Sequence, residues 1–383
     1  MKRLFSITVF ITILGACRHK VIEVPNTHKN LVPEYTLEIQ DSVIFRLDSL
    51  TPPTTFSLQY KDGKVSFLNN LINAIYVYDY KSRELLYTIP MEKEGNNGVG
   101  KIEGHIIIND DSILVQNFGK NILYLIDKNA KLKNSYNLLS TDADTIPYLP
   151  WPKGWTTTPI IVTGQKFYLG GNINGEPSDE NQWNRPIMIA VNKNDKSVNY
   201  HYHYPSFYWK GNWGGALYRR IYYDYNPEKK IFVFSFPASH DIYTTSIDFK
   251  DEKKYYGGSQ YFGTIKSMKG NIFSINKNMR NKHFVTNPSY ESIIYDKYRK
   301  VYYRIASHPV NMELFKKGEW AKQFSIIILD ENFKWLGETL IPKYSHSSIE
   351  FFVTPKGLHL KKYVPDNDDI MQFSIFTLKK IER

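Results

Sequence analysis

The chain has 383 residues, 58 of them aromatic, a single cysteine and a formal net charge of +11. One cysteine excludes an intramolecular disulfide framework, so burial alone must hold the fold, which a chain of this length can manage. The basic surplus is dispersed in doublets (Lys229-Lys230, Lys253-Lys254, Lys316-Lys317, Lys361-Lys362, Lys379-Lys380) and not gathered on one stripe, which argues against nucleic acid as a partner. Lysines at turns and strand edges discourage sheet-to-sheet pairing, with attraction to anionic lipid or glycan as a second use.

The first elements are an export signal and its attachment point. Lys2 and Arg3 form a positive start, and Leu4 to Ile13 an apolar run. That run is far short of the roughly 20 residues a bilayer span needs. Leu14-Gly15-Ala16-Cys17 then reads as the lipobox of a bacterial lipoprotein. In such a motif the cysteine thiol takes a diacylglyceryl group, the leader is cut before it, and the freed amine is acylated. Residues 1–16 are therefore expected to be a signal peptide and Cys17 a lipid anchor holding the protein to the membrane. Residues 17–34, polar with two prolines, read as the lipidated cysteine and a flexible tether, and 35–383 as a single folded domain. Arg18 is not the aspartate associated with inner-membrane retention, which favours the outer membrane. Only Glu23 supplies acid behind the cysteine, so the lean is to the periplasmic side, with the surface face left open.

From Tyr35 onward short apolar runs alternate with turn residues, which predicts an all-β domain. A two-strand unit recurs. Its first strands are GKVSFL (63–68), DSILVQN (111–117), QKFYLGG (165–171), KKIFVFSF (229–236), RKVYYRI (299–305) and KGLHLKK (356–362). Its second strands are AIYVYD (74–79), ILYLID (122–127), IMIAVN (187–192), IYTTSID (242–248), FSIIILD (324–330) and FSIFTL (373–378). Asp79, Asp127, Asn192, Asp248 and Asp330 close five of these second strands, and such residues open tight turns by bonding their own downstream backbone. Leu85, Leu132, Val198 and Trp335 begin a further strand shortly after. Six units of four-strand size predict a six-bladed β-propeller, with tandem β-sandwiches as the alternative. Second strands such as ILYLI, apolar throughout, read as inner strands covered on both faces. The early strand DSVIFRLD (41–48) lacks a hairpin partner and is expected to complete the last blade and close the ring.

The segments NAIYVYDYKSRELLYTI (73–89), EGNNGVGKIEG (94–104) and YDKYRKVYYRI (295–305) resemble those of a Bacteroidetes lipoprotein family of unknown function, of six-bladed β-propeller type. The resemblance runs over essentially the whole chain from the lipobox on. It implies an envelope location and the propeller fold, and it carries over no catalytic residue.

Candidate chemistry is sparse. Gly95, Gly98, Gly100 and Gly104 precede a strand and not a helix, so they read as an inter-blade connection and not as a phosphate loop. His201 and His203 share a strand face but lack an evident third ligand, and Asp366, Asp368 and Asp369 read as a solvated turn. No metal and no cofactor is expected. There is no Gly-x-Ser-x-Gly elbow, and the one thiol is assigned to lipid. Trp151, Trp155, Trp183, Trp209 and Trp213 fall in loop-like stretches rich in Pro, Gly and Asn. They are candidates for a ligand platform, because aromatic faces stack on sugar rings and grip partner proteins. Capping of a local core over the third and fourth repeats is their other reading.

The function expected is therefore a lipid-anchored, monomeric, non-enzymatic binding or scaffold module for a glycan, peptide or envelope protein. The alternative is a propeller lyase or hydrolase with its active site in the central channel. Arg304 and the nearby His308 are the charges that keep that alternative open.

Overall fold

The structure, a computed structural model, describes residues 21–28, 30–139, 150–173, 185–270 and 274–382. The leader, Cys17 and Trp183 lie outside the described residues.

Each predicted two-strand unit forms the middle of an antiparallel sheet, and six such sheets make six blades. Blade 1 runs Leu58–Lys61, Lys64–Asn69, Ala74–Asp79, Leu85–Pro90. Blade 2 runs Gly104–Asn109, Ser112–Asn117, Ile122–Ile126, Leu132–Asn137. In blade 3 the first strand is split into Pro150–Pro152 and Ile161–Thr163, both paired to Lys166–Ile173, followed by Pro186–Asn192 and Val198–His203. Blade 4 comprises Tyr222–Asn226, Ile231–Ser235, Asp241–Ser246 and Lys253–Tyr256. Blade 5 comprises Ser289–Asp296, Val301–Ser307, Phe324–Asp330 and Trp335–Ile341.

Blade 6 closes the ring as expected. His346–Thr354, Gly357–Lys362 and Ile370–Lys380 take their fourth strand from the other end of the chain, Tyr35–Arg46, which pairs antiparallel with Ile370–Lys380. The ring thus leaves no blade short of an outer strand, and closure removes strand edges that would otherwise be exposed.

The core lies as slabs between neighbouring blades. Leu68, Ile75 and Val77 of blade 1 pack with Ile113, Val115 and Ile126 of blade 2, and Val43, Phe45 and Phe373 of blade 6 pack with Val65 and Phe67 of blade 1. This explains why the middle strands read as apolar on both faces. It also corrects one assignment: ILYLI is the third strand of blade 2, while the channel is lined by the first strands of the blades.

The described connections between blades and loops from second to third strand open on one side, called the upper face here. The hairpins from first to second and from third to fourth strand make the lower face. The turn aspartates sit there as predicted. The Asp127 carboxylate accepts from the Asn129 and Lys131 amides at 2.9 and 3.1 Å, and that of Asp330 from Asn332 and Lys334 at 2.8 Å each.

Two helices occur among the described residues, both in upper-face connections: α1, Lys277–Thr286, and α2, Met312–Lys316. Neither is long and apolar enough to cross a membrane.

The segment expected to be a free tether is docked from residue 21 onward. Glu23–Val24 pairs with Ile265–Lys266, and Glu23 meets Lys266 at 2.8 Å. The Asn26 amide donates to the Ser259 and Phe262 carbonyls at 2.7 and 3.1 Å, and the His28 ring stacks on Tyr256 at 3.8 Å. The composition is that of a linker, but these backbone and amide bonds fix the segment against blade 4.

Candidate functional site

The broken first strand of blade 3 shapes the channel. Between its two pieces, residues 153–160 leave the sheet and enter the ring. The Thr156 amide donates to the Phe56 carbonyl at 2.8 Å, and the Leu58 amide to Thr156 Oγ1 at 3.0 Å, so the insertion reaches past blade 2 to blade 1. Gly154 and Gly104 make this possible. A Cβ on Gly104 would fall 2.3 Å from the Gly154 carbonyl oxygen, so any side chain there would push the insertion away. On the blade 4 side the Tyr223 hydroxyl ties the segment down, donating to the Pro159 carbonyl at 2.8 Å and accepting from the Gly170 amide at 2.8 Å.

Above the insertion lies a cavity of about 220 Å³ at the upper mouth of the channel. Phe56, Lys153, Trp155, Arg220, Tyr222 and Ile349 line it, contributed by or beside the first strands of blades 1, 3, 4 and 6. One wall is aromatic: Trp155 stacks on exposed Phe56 with ring centroids 4.8 Å apart and planes 21° apart. Lys153 Nζ sits 4.1 Å from the Trp155 centroid and 5.1 Å from that of Phe118, a cation–π arrangement that holds the amine at the rim of the wall.

The other feature is positive charge. Burial lowers the Lys153 amine below its usual value, Glu103 works against this, and the Arg220 guanidinium lowers it further. The two cations are thus near enough to repel. Tyr222 pushes the Arg220 guanidinium up, with Glu291 adding to it, while burial pushes the Tyr222 phenol up to about 12. Arg220 is open to solvent although protein surrounds it on most sides, as expected of a group lining a channel mouth. A cavity with two facing cations favours an anion, which relieves their repulsion and gains from the reduced dielectric of an enclosed site. A larger groove, about 390 Å³, lies between the lower edges of blades 1 and 2, but hairpin-turn residues such as Asp62, Asp110 and Asp111 form much of it.

Acids and histidines do occur on the channel-lining strands, yet each has structural partners. The His105 ring nitrogens lie 2.8 and 2.9 Å from the Ser57 and Ser66 hydroxyls, and burial lowers its pKa to about 3. Glu291 accepts from the Ser307 and Ser348 hydroxyls at 2.6 and 2.9 Å. Glu350 pairs with buried Lys361 at 3.3 Å and accepts from the Thr55 amide at 2.9 Å. Arg304 is not a channel residue. It is fully buried over the Tyr290 ring, and its guanidinium donates to Ser235 Oγ and to the carbonyls of His240, Gly257 and Ser239, at 2.8–2.9 Å. His308 bonds Ser325 Oγ at 2.8 Å. Both hold loops in place.

The four described tryptophans of this set do not form one platform, and Trp183 lies outside the described residues. Trp155 lines the cavity. Trp151 is half-buried edge-on against Phe118, at 5.5 Å. Trp209 is 46% exposed on the upper rim. Trp213, at 0% exposure, is core: its ring packs on Phe207, Tyr208 and Tyr218, because the connection into blade 4 folds back over that blade. His201 stacks on Phe249 at 4.9 Å, and among the described residues no group of three His, Cys, Asp or Glu is placed to hold a metal. Asp366, Asp368 and Asp369 lie in an exposed turn, with Asp366 at a φ of 60°.

Six radial four-stranded blades closed by an N-terminal strand define a β-propeller. The sequence matches the family described as a domain of unknown function (DUF4221) over residues 34–340, and the chain belongs to that family. Its fold is similar to that of a DUF4221 member from Bacteroides vulgatus, with 22% identity and a TM-score of 0.77, over 91% of this chain and 99% of the other. A protein from Bacteroides fragilis is similar at 9% identity and a TM-score of 0.54, over 92% of this chain and 98% of its own. Among curated proteins none matches the sequence.

Proposed function

We propose that this protein is a lipid-anchored binding module of the bacterial cell envelope that captures an acidic glycan at the upper mouth of its channel. The observation that carries the reading is the cavity itself, where Lys153 and Arg220 face a stacked Phe56–Trp155 wall. Sugars offer apolar C–H faces that suit aromatic rings, and a carboxylate or phosphate on the sugar suits the two cations. Its volume fits about one sugar unit, so affinity rests on few contacts. The partners held by His105, Glu291 and Glu350 favour binding over channel chemistry. Anchoring through Cys17 to the outer membrane places the site in the envelope, where such glycans occur.

The test is a glycan array followed by calorimetry on the unacylated protein. Binding should be confined to glycans bearing an acidic group. Arg220→Gln and Lys153→Gln should each weaken it at least about tenfold, the loss expected for a charge-assisted bond in an enclosed site. Retained binding in both variants, or a preference for neutral glycans, would refute the proposal.

A further inference from the structure

The docked N-terminal segment fixes on which face of the propeller residue 21 lies. Only three residues lie between Cys17 and Val21, where the described chain begins, and the four Cα–Cα steps span at most about 14 Å. The segment is bound at the upper face. Its Ile22 packs on Gly211, where an added Cβ would lie 2.9 Å from Ile22 Cγ1, and its amide donates to Ser267 Oγ at 2.8 Å. The α1 helix is pinned beside it, with His283 Nε2 donating to the Lys266 carbonyl at 2.8 Å.

The surface around that point is basic and partly apolar. The connection 257–288 carries Lys266, Lys269, Lys277, Arg280 and Lys282 and no acid. Lys210 lies near the tether, and Lys316 and Lys317 lie at and just beyond the end of α2, which touches α1. Trp209, Met279, Leu314 and Trp320 are exposed among these cations. The lower face carries lysines too, but there acids are interspersed among them and pair with them, as in Lys128–Asp110 and Lys250–Asp248 at 3.3 and 3.2 Å. Far from the tether, the connection between blades 1 and 2 is close to neutral, with Glu92, Glu94 and Glu103 set against Lys93 and Lys101.

We infer that the upper-face patch of blades 4 and 5, with Trp209 at its edge, rests on the anionic membrane surface that holds the Cys17 acyl chains. This rests on the lipoprotein reading above. An acyl anchor brings the patch near enough to the headgroups for its charges to act, since the surface potential decays within about 8 Å at physiological salt. Exposed Trp and Met among cations match the chemistry of an interfacial contact, apolar groups entering and amines staying with phosphates. The patch occupies one side of the upper face only, so contact there tilts the body and the channel mouth stays open to the compartment.

The test uses the mature chain from residue 17 with Cys17→Ser, so that no acyl chain contributes. It should sediment with vesicles of phosphatidylglycerol and phosphatidylcholine, and not with phosphatidylcholine alone. Lys269→Glu/Lys277→Glu/Arg280→Glu should lose at least about tenfold in affinity, given that each surface cation contributes several-fold. The lower-face control Lys81→Glu/Lys229→Glu/Lys253→Glu should bind as the parent does. A polarity-sensitive dye on Met279→Cys should shift to the blue with vesicles, and on Lys81→Cys it should not. No binding to anionic vesicles, equal losses in both triple variants, or a shift only at position 81 would overturn the inference. Palmitate labelling of the unmodified protein in cells separates the two readings. An unlabelled Cys17 with a working patch sinks the anchor alone, and a labelled Cys17 with an inert patch sinks the orientation alone.

Discussion

Replacing Trp213 and Trp209 by alanine, one at a time, separates the two roles open to these aromatics. Trp213 is fully buried, and a buried indole removes roughly 200 Å² from water, worth about 5 kcal/mol at 25 cal/mol per Å². Part of that is offset. Its Nε1–H has no hydrogen-bond partner among the described residues, and a buried unpaired donor costs about 1–3 kcal/mol. The net loss for Trp213→Ala should therefore be about 2–4 kcal/mol. Trp213→Phe keeps most of the ring area and removes the unpaired donor, so it should cost less than about 1 kcal/mol. Trp209→Ala, at a half-exposed position, should stay within about 0.5 kcal/mol. Urea denaturation of the unacylated chain, followed by tryptophan fluorescence and circular dichroism, measures all three. If Trp213→Ala costs no more than Trp209→Ala, or Trp213→Phe costs as much as alanine, the assignment of Trp213 to the core is wrong.

Ring closure and pH give two further outcomes. Val43 is buried in the closing strand, between blades 6 and 1, and Val43→Asp should destabilise the whole domain by about 3 kcal/mol or more, read as a lower urea midpoint and rapid proteolysis throughout; cleavage confined to residues 21–57 would show that the ring survives without its closing strand. Burial lowers His105 to about 3, and His240, His308, His346 and His359 to about 4, so below an unfolded-state value near 6.5 the unfolded chain binds more protons. Asp224, raised to about 6 by burial, and Glu338, also raised by burial, work in the opposite sense but are two groups against five histidines. Stability should thus fall steeply from about 6.5 to 4, while Lys322, lowered to about 7 by burial, makes it rise further from about 7 towards 10; a urea midpoint that holds or rises as the pH falls from 6.5 to 4 would refute it.

The frame of the fold was legible because its signals are local. Middle strands such as KVSFLN and AIYVYD are apolar on both faces, since blades cover both, and the aspartates after the third strands bond their own turns. Of the channel-lining strands, GHIIIN in blade 2 was legible as a strand, and others were not. LQYK and IVT are short and mixed in character, because one end meets solvent and the other the neighbouring blades. The docked tether was hidden for a different reason. Its bonds are made by the Asn26 amide and by backbone groups of Ile22 and Val24, which leave no trace in hydrophobic patterning.

The candidate site was half legible, and the split strand of blade 3 explains which half. The sequence marks LPWPKGW as a loop, and Trp155 does reach the cavity. Arg220, far along the chain, joins Lys153 only because residues 153–160 leave their sheet while blade 4 begins beside them. Neither cation has an intrinsic signal: Lys153 reads as one more loop lysine and Arg220 as part of a basic doublet. Their meaning comes from enclosure, which weakens the screening that would make the same charges inert on an open surface. A propeller with an unbroken first strand in blade 3 would keep its channel and lose this pocket. The insertion is therefore the element that converts a closed ring into a binding site, and Gly104 and Gly154 are the residues that allow it to enter.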